Sequence, residues 1–336
     1  GLGVVNVFSS MLFGGISGSA IADVSALGSI LIPVMKEKGY DDDYAVNVTV
    51  TSSIAGIIIP PSHNMIIYAV AAGGSLSISK LFLAGFIPGV VMCLCLAAVS
   101  YIVAVKRGYT SEKFPGFFIL CKHFITALPG LLTAVIIVGG VLSGVFTVTE
   151  SGAFGAIYAF LATIIVYRAL TWEKFKQAVT SAVRTTSMVM ILIACSGAFA
   201  YLLTFYQVPT KMSFFLTSIS DKPFVILLMI NLMLLFLGMI MDMAALILIC
   251  TPIFLPIASN IGVDPYQFGM LLMMNLGLGL CTPPVGSVLF VGCAVGGVRL
   301  EDAVKTMWPF YLAILIALLF VTFIPAISLT LPNLLG

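Results

Sequence analysis

Three carboxylates sit within apolar stretches of this sequence: Asp23, Glu150 and Asp242. Burying an acid among apolar groups is costly unless an ion, a proton or a partner offsets it, so each is a candidate functional group. Asp23 closes the segment GGISGSAIAD (14–23), where Ser17, Gly18 and Ser19, with Ser25 beyond, supply oxygens and small side chains but no nitrogen or sulfur donors. Hard cations take oxygen ligands, so alkali-ion binding suits this set better than a transition metal. The alternative for Asp23 and Asp242 is to cap a helix N-terminus or pair with a neighbour. For Glu150, in the turn between two apolar segments, capping or a subunit contact is the favoured role.

A second group of polar residues, Ser62, His63 and Asn64, follows the proline pair Pro60-Pro61 in the middle of the apolar segment 52–74. Each proline removes a backbone donor and collides with the preceding turn, so the pair divides one helix into two halves and strands several carbonyls. Broken backbone within a membrane is tolerated where it lines a cavity or is buried in protein, which makes the break a candidate binding site. The N-terminus of the second half-helix carries positive partial charge and suits an anionic substrate group. Ser17, Ser62, His63 and Asn64 are therefore candidate substrate contacts.

The elements that position these residues occur twice. Adding 223 carries Pro60-Pro61 onto Pro283-Pro284, Gly73-Gly74 onto Gly296-Gly297, Gly39 onto Gly262, Asp41 onto Asp264 and Pro33 onto Pro256. Upstream an offset of 219 pairs Asp23 with Asp242 and Pro33 with Pro252, as if four residues were inserted before Pro256. Paired, proline-interrupted apolar segments in two halves are the pattern of a secondary transporter. Ser62, His63 and Asn64 map onto Val285, Gly286 and Ser287, so the polar side chains at the breaks are unequally shared.

With 61% hydrophobic and 8% charged residues, the chain is read as a polytopic α-helical membrane protein. It has no basic tract that would point to nucleic acid. The seven cysteines lie in or beside apolar segments and read as small apolar residues. Among two histidines, His63 and His123, there is no HExxH, and no GxSxG elbow or nucleotide-binding GxxxxGK[ST] loop is present, so neither an enzyme nor an ATP-driven pump is indicated. The chain does not start with Met and opens inside an apolar segment, which suggests a fragment with helices upstream.

In order, the sequence predicts a re-entrant hairpin over 3–35 with its tip at 14–19, a broken helix at 44–73 and a span at 81–105. Residues 108–128 read as a loop plus an interfacial helix, followed by spans at 129–147 and 152–168, a surface helix at 172–184 and a span at 185–206. After a short polar link come a second hairpin at 223–257, a broken helix at 264–297 and a last span at 308–327. These form three divisions: 1–105 and 223–336 as the two repeats, and 106–222 as scaffold and linking helices. Placing Lys36–Asp43 in the cytoplasm puts Lys36, Lys38, Lys106, Arg107, Lys113, Lys122, Arg168, Lys174, Lys176, Arg184, Arg299 and Lys305 on that side and leaves only Lys80, Lys211 and Lys222 outside. The positive-inside rule favours this orientation, in which the two hairpins open to opposite faces and the repeat is inverted.

Together, GGISGSAIAD (14–23), IIIPPSHNMIIYAVAAGG (57–74), TVTESGA (147–153) and LGLCTPPVG (278–286) resemble the large membrane subunit, of M or DctM type, of the tripartite ATP-independent periplasmic (TRAP) transporters. The likeness spans essentially the whole chain. It implies a multi-pass protein of the bacterial inner membrane, an elevator-type symporter in which two hairpins and two broken helices slide against a scaffold. The implied partners are a small membrane subunit of Q type, separate or fused, and a periplasmic substrate-binding protein of P type that delivers an organic acid; the implied coupling ion is Na+. Carried over by residue, Ser17, Gly18, Ser19, Asp23 and the stretch from Gly56 to Pro60 would form one sodium site, and Gly238, Asp242, Gly279 and Thr282 its mate. PPSHNMIIY is similar to the sialic-acid branch, with C4-dicarboxylates or sugar acids as alternatives, and an anion carrier that needs no binding protein as a further one. Each sodium entering against ~100 mV would contribute about 2.3 kcal/mol, and two would support roughly a thousandfold accumulation.

Overall fold

The computed structural model describes residues 1–109 and 116–335, so Lys113 of the charge count lies outside the described residues. Among the described residues every regular element is a helix. Among the described residues six helices are long and apolar enough to cross a membrane, and a seventh crossing arises if the bent pair Asp42–Ile58 and His63–Ala71, angled by 50°, counts as one. The chain is thus a polytopic helical membrane protein, as its composition indicates.

Two compact units are present: Gly1–Ser111 with Ala200–Gly336, and Glu112–Phe199. The larger unit opens with α1 (Leu2–Ser17) and α2 (Ala20–Glu37), which form the first hairpin. Gly18 ends α1 at φ 61°, a left-handed conformation that glycine adopts without strain, and its N–H returns to the Gly14 carbonyl. The broken helix follows as α3 (Asp42–Ser52), α4 (Ala55–Ile58) and α5 (His63–Ala71), and α6 (Ile78–Lys106) completes the first half. In the smaller unit, α7 (Phe117–Leu142) packs on α8 (Val148–Ile165), and α9 (Trp172–Phe205) runs on past the unit boundary. The larger unit resumes with α10 (Val208–Ile219), then α11 (Pro223–Gly238) and α12 (Met243–Asn260) as the second hairpin. The second broken helix is α13 (Pro265–Leu280) and α14 (Ser287–Gly296), followed by α15 (Leu300–Phe323) and α16 (Pro325–Leu335).

The structure revises four expectations. The interfacial segment before residue 129 is continuous with the span after it, and the surface segment at 172–184 continues into the span at 185–205, because no break interrupts their backbone hydrogen bonds. The polar link before the second hairpin contains the helix α10. The register of the repeat also changes. The helices α2 and α12 both have 18 residues and begin 223 apart, at Ala20 and Met243. One offset therefore serves across the hairpin: Asp242 corresponds to Ser19, and Asp23 to Leu246. The Pro33–Pro252 match behind the offset of 219 is coincidental.

The first halves of the broken helices are the core. Every residue from Tyr44 to Ser52 and from Gln267 to Leu280 is buried. Polar side chains there must find protein partners. Ser52 pairs with Ser10 of α1 at 2.9 Å, and Asn275 donates to the Asn231 side chain of α11 at 2.8 Å, so each hairpin is tied to its broken helix at a similar level. Asn47 donates to the Ala303 carbonyl and Thr306 of α15. Glycines set the approach distances: a methyl on Gly292 would lie 2.2 Å from Val50, and one on Gly296 2.2 Å from Val46.

Charged groups collect at one end of the larger unit. Lys36 pairs with Asp42 at 3.0 Å and donates to the Gly296 carbonyl at 2.6 Å. Arg107 donates twice to Asp43 and once to Asp41, all at 2.8 Å, and Tyr109 donates to Asp41 at 2.7 Å. The hydrogen bonds it donates to Asp43 outweigh burial and hold the Arg107 guanidinium above its ordinary range. Replacing Arg107 with Ala should lower stability by about 1–2 kcal/mol, since it leaves two acids without their forked partner. Arg107→Lys should restore only part, because an ammonium cannot reproduce the fork. Thermal unfolding of the purified protein in detergent checks this, and equal midpoints for wild type and Arg107→Ala would refute it.

Candidate functional site

The tip of the first hairpin rests against the first proline break. A methyl on Gly14 would lie 2.8 Å from the Gly56 backbone, one on Gly18 2.8 Å from the Pro61 carbonyl, and one on Gly56 3.3 Å from the Ser17 hydroxyl. Ser17, Gly18, Ser19, Gly56, Pro60 and Ser62 thus belong to one neighbourhood. The Ser17 hydroxyl turns to the Ser19 backbone at 3.4 Å. Ile59 is extended, which ends α4, and Ser62 is the N-cap of α5. The Ser62 hydroxyl is buried and has no hydrogen-bond partner.

The second hairpin meets the second break in a matching way. A methyl on Gly279 would lie 2.5 Å from the Gly238 carbonyl carbon, closer than packed atoms tolerate, so two backbones touch there. Val285 N–H donates to the Met239 carbonyl at 3.1 Å across the same contact. Asp242 caps α12, its carboxylate accepting from Ala244 N–H at 3.0 Å. Thr282 donates to the Leu278 carbonyl at 2.7 Å, which leaves its oxygen able to accept.

A cavity of about 70 Å³ joins the two halves. Its lining includes Ser19 at the start of α2, His63 and Asn64 at the start of α5, and Asp242 and Ala244 at the start of α12, with Leu280 from the end of α13. His63 lies beside the Gly18 backbone and the Asp242 carboxylate. Three helix N-termini therefore open onto one space, two of them capped by serines whose hydroxyls make no capping bond. The helix starts, with the Ser19 hydroxyl and the Asn64 amide, favour an anion there, while the Asp242 carboxylate favours a cation. The volume is well below the roughly 300–1,000 Å³ of typical small-molecule sites. In this conformation the cavity takes an ion or a few waters, and an organic acid requires its walls to separate.

Asp23 is not part of that lining. It lies one turn into α2, fully buried, toward Ser10 of α1 and Cys93 of α6, and neither carboxylate oxygen accepts a hydrogen bond of normal geometry. Glu150 forms a capping box with Thr147: its carboxylate accepts from the Thr147 N–H and hydroxyl at 2.8 Å, and its N–H returns to the Thr147 oxygen. Sequence reasoning missed Ser10, Ser52, Asn231 and Asn275. The signal was available in their spacing, since Ser52 and Asn275 are 223 apart and both face a polar residue on the neighbouring hairpin.

A model of the DctM component of the tripartite ATP-independent periplasmic transporters matches residues 1–327. The chain is 39% identical over its whole length to the C4-dicarboxylate TRAP transporter large permease protein DctM of Pseudomonas aeruginosa, covering 78% of that protein. It is 38% identical to the sialic acid TRAP transporter large permease protein SiaM of Vibrio cholerae, over 99% of this chain and 78% of that one. It is also 35% identical to the 2,3-diketo-L-gulonate TRAP transporter large permease protein YiaN of Escherichia coli, over 97% and 76%.

The backbone contact at Gly279 gives a direct test. Gly279→Ala should destabilise the protein by about 1–3 kcal/mol, as overpacking does, because a rigid backbone and not a flexible side chain occupies the space. Gly197→Ala, at a helical position with nothing near, should be neutral or slightly stabilising. Unfolding midpoints of the two variants check the contrast, and a Gly279→Ala protein as stable as Gly197→Ala would contradict the contact.

Proposed function

Because the chain belongs to the DctM component family of the TRAP transporters, we propose that it is the permease through which an organic acid is imported together with sodium. The family is one of membrane transporter permeases, and it implies a small membrane subunit and a periplasmic binding protein. The observation that supports the coupled reading is the cavity where the starts of α2, α5 and α12 meet, with Ser19 and Asn64 to receive an anion and Asp242 to receive a cation. Ser17, Gly18, Ser19, Gly56 and Pro60, with Asp23 one turn behind them, are the proposed surroundings of one sodium, and Gly238, Asp242, Gly279 and Thr282 of its mate. Ser62, His63 and Asn64, with Ser17, take the substrate.

Sialic acid is the first substrate candidate, on the PPSHNMIIY stretch and the relative named for it; a C4-dicarboxylate is equally supported by the relative named for that substrate. Transport proceeds by a rigid-body shift of the hairpins and broken helices, arranged as an inverted repeat, in the bacterial inner membrane. The sparsely buried α7, α8 and α9 are proposed to meet lipid and the small subunit.

Uptake into proteoliposomes, with the complete membrane subunits and a panel of organic anions, tests this reading. Uptake should require both a sodium gradient and the binding protein, and Ser62→Ala should raise the half-saturating substrate concentration several-fold. Full uptake without sodium would refute the coupling, full uptake without the binding protein would favour the simpler anion carrier, and uptake of succinate but not N-acetylneuraminate would select the dicarboxylate reading.

Orientation has its own test. In a background without native cysteines, Gly39→Cys should be shielded from an impermeant thiol reagent in intact cells and Ser220→Cys labelled. The reverse pattern would invert the assignment of the two hairpins.

A further inference from the structure

At the second break one stranded carbonyl has a donor that its own helix does not supply. In a continuous helix the Cys281 carbonyl would accept from the N–H of residue 285, or of residue 284 in a tighter turn. Residue 284 is a proline without an N–H, and the Val285 N–H donates instead to the Met239 carbonyl of the second hairpin at 3.1 Å. The Tyr311 hydroxyl of α15 takes that place, donating to the Cys281 carbonyl at 2.6 Å. Tyr311 is buried, at 6% exposure.

The same hydroxyl reaches the next residue. The Thr282 side chain lies beside it, while the Thr282 proton goes to the Leu278 carbonyl at 2.7 Å. A phenol has one proton, and here the Cys281 carbonyl holds it, so Tyr311 meets Thr282 only as an acceptor. The lone pairs of the Thr282 oxygen are therefore not consumed by the tyrosine and stay available to a cation. Because the peptide between Cys281 and Thr282 is planar, holding the carbonyl of the first also sets the direction of the second.

The first half closes the same place without hydroxyls. Helices α6 and α15 begin 222 apart, at Ile78 and Leu300, which puts Gly89 at the position of Tyr311. Ile58 and Ile59 stand where Cys281 and Thr282 do, 223 further on. A methyl on Gly89 would lie 2.5 Å from the Ile59 side chain, so there the glycine leaves room for an isoleucine. Apolar packing is enough to close a break of this kind, and the pair of hydroxyls in the second half serves something besides the fold.

We propose that Tyr311 is a positioning residue for the second sodium: anchored on the Cys281 carbonyl, its hydroxyl holds the end of α13 so that the Thr282 oxygen faces the ion. This role rests on the reading of Gly238, Asp242, Gly279 and Thr282 as the surroundings of that sodium. Tyr311 acts through Thr282 and does not touch the ion.

Equilibrium binding of radioactive sodium to the purified permease complex, without substrate, tests the role. Tyr311→Phe, which removes only the hydroxyl, should weaken one sodium several-fold at an unchanged count. Tyr68→Phe is the control, since it removes a tyrosine–carbonyl hydrogen bond of 2.7 Å to Pro265 at the other end of α13. It should lower the unfolding midpoint about as much as Tyr311→Phe does and leave sodium affinity unchanged. Thr282→Val should weaken the same sodium with the Tyr311 bond intact, Thr282→Ser should not, and adding Tyr311→Phe to Thr282→Val should weaken it no further. Wild-type sodium affinity in Tyr311→Phe or Thr282→Val, an equal loss in Tyr68→Phe, or further weakening in the double variant would overturn the role. In each of these cases wild type still binds sodium and the coupled reading stands. Absence of sodium binding by wild type would refute that reading itself, and the role of Tyr311 with it.

Discussion

The constraint on which this structure depends is that two helices are broken in the middle of an apolar protein, and the freed backbone must be covered by protein. Pro60-Pro61 and Pro283-Pro284 end their half-helices without donors to continue them. In lipid the stranded carbonyls and N–H groups would have no partner, so the only stable arrangement buries each break beneath another element. The hairpin tips are those covers. They reach the breaks because glycine stands at the contacts, Gly14 and Gly18 on one side and Gly238 and Gly279 on the other, where any side chain would hold the backbones apart.

The same constraint creates the chemistry. A cover that satisfied every backbone group would leave nothing to bind with, whereas here three helix starts open onto a shared space lined by Ser19, His63, Asn64 and Asp242. Its small volume indicates a closed arrangement around an ion-sized void. Admitting a larger anion means separating surfaces that now touch through glycines, which are contacts of short reach and low barrier to sliding compared with interlocked side chains. The ties that resist separation are polar and local, Ser10 with Ser52 and Asn231 with Asn275, each within one hairpin and its own broken helix. They tie each hairpin to its own half-helix.

The two halves share a plan but not a set of side chains. The first carries Ser62, His63, Asn64 and the buried Asp23; the second carries Val285, Gly286, Ser287 and Leu246. The acid of the second half instead caps α12 at the edge of the cavity. Equivalent backbones have thus been given different electrostatic tasks, and the charge near the first hairpin is deeper and less solvated than the charge near the second.

The membrane class, the two proline breaks, the hairpins around 14–19 and 242, and the polar residues at the first break were legible in the sequence, because composition, proline chemistry and a repeat spacing of 223 act locally and do not depend on neighbours. Glu150 as a cap was legible for the same reason, since Thr147 and Glu150 have capping-box spacing. The depth of Asp23, its absence from the cavity lining and the correspondence of Asp242 with Ser19 were decided by tertiary structure. Sequence spacing says how far a residue lies along a helix, but the face it presents follows from which helices pack around it. For Asp23 those helices are α1 and α6, brought together by contacts between residues far apart in the chain.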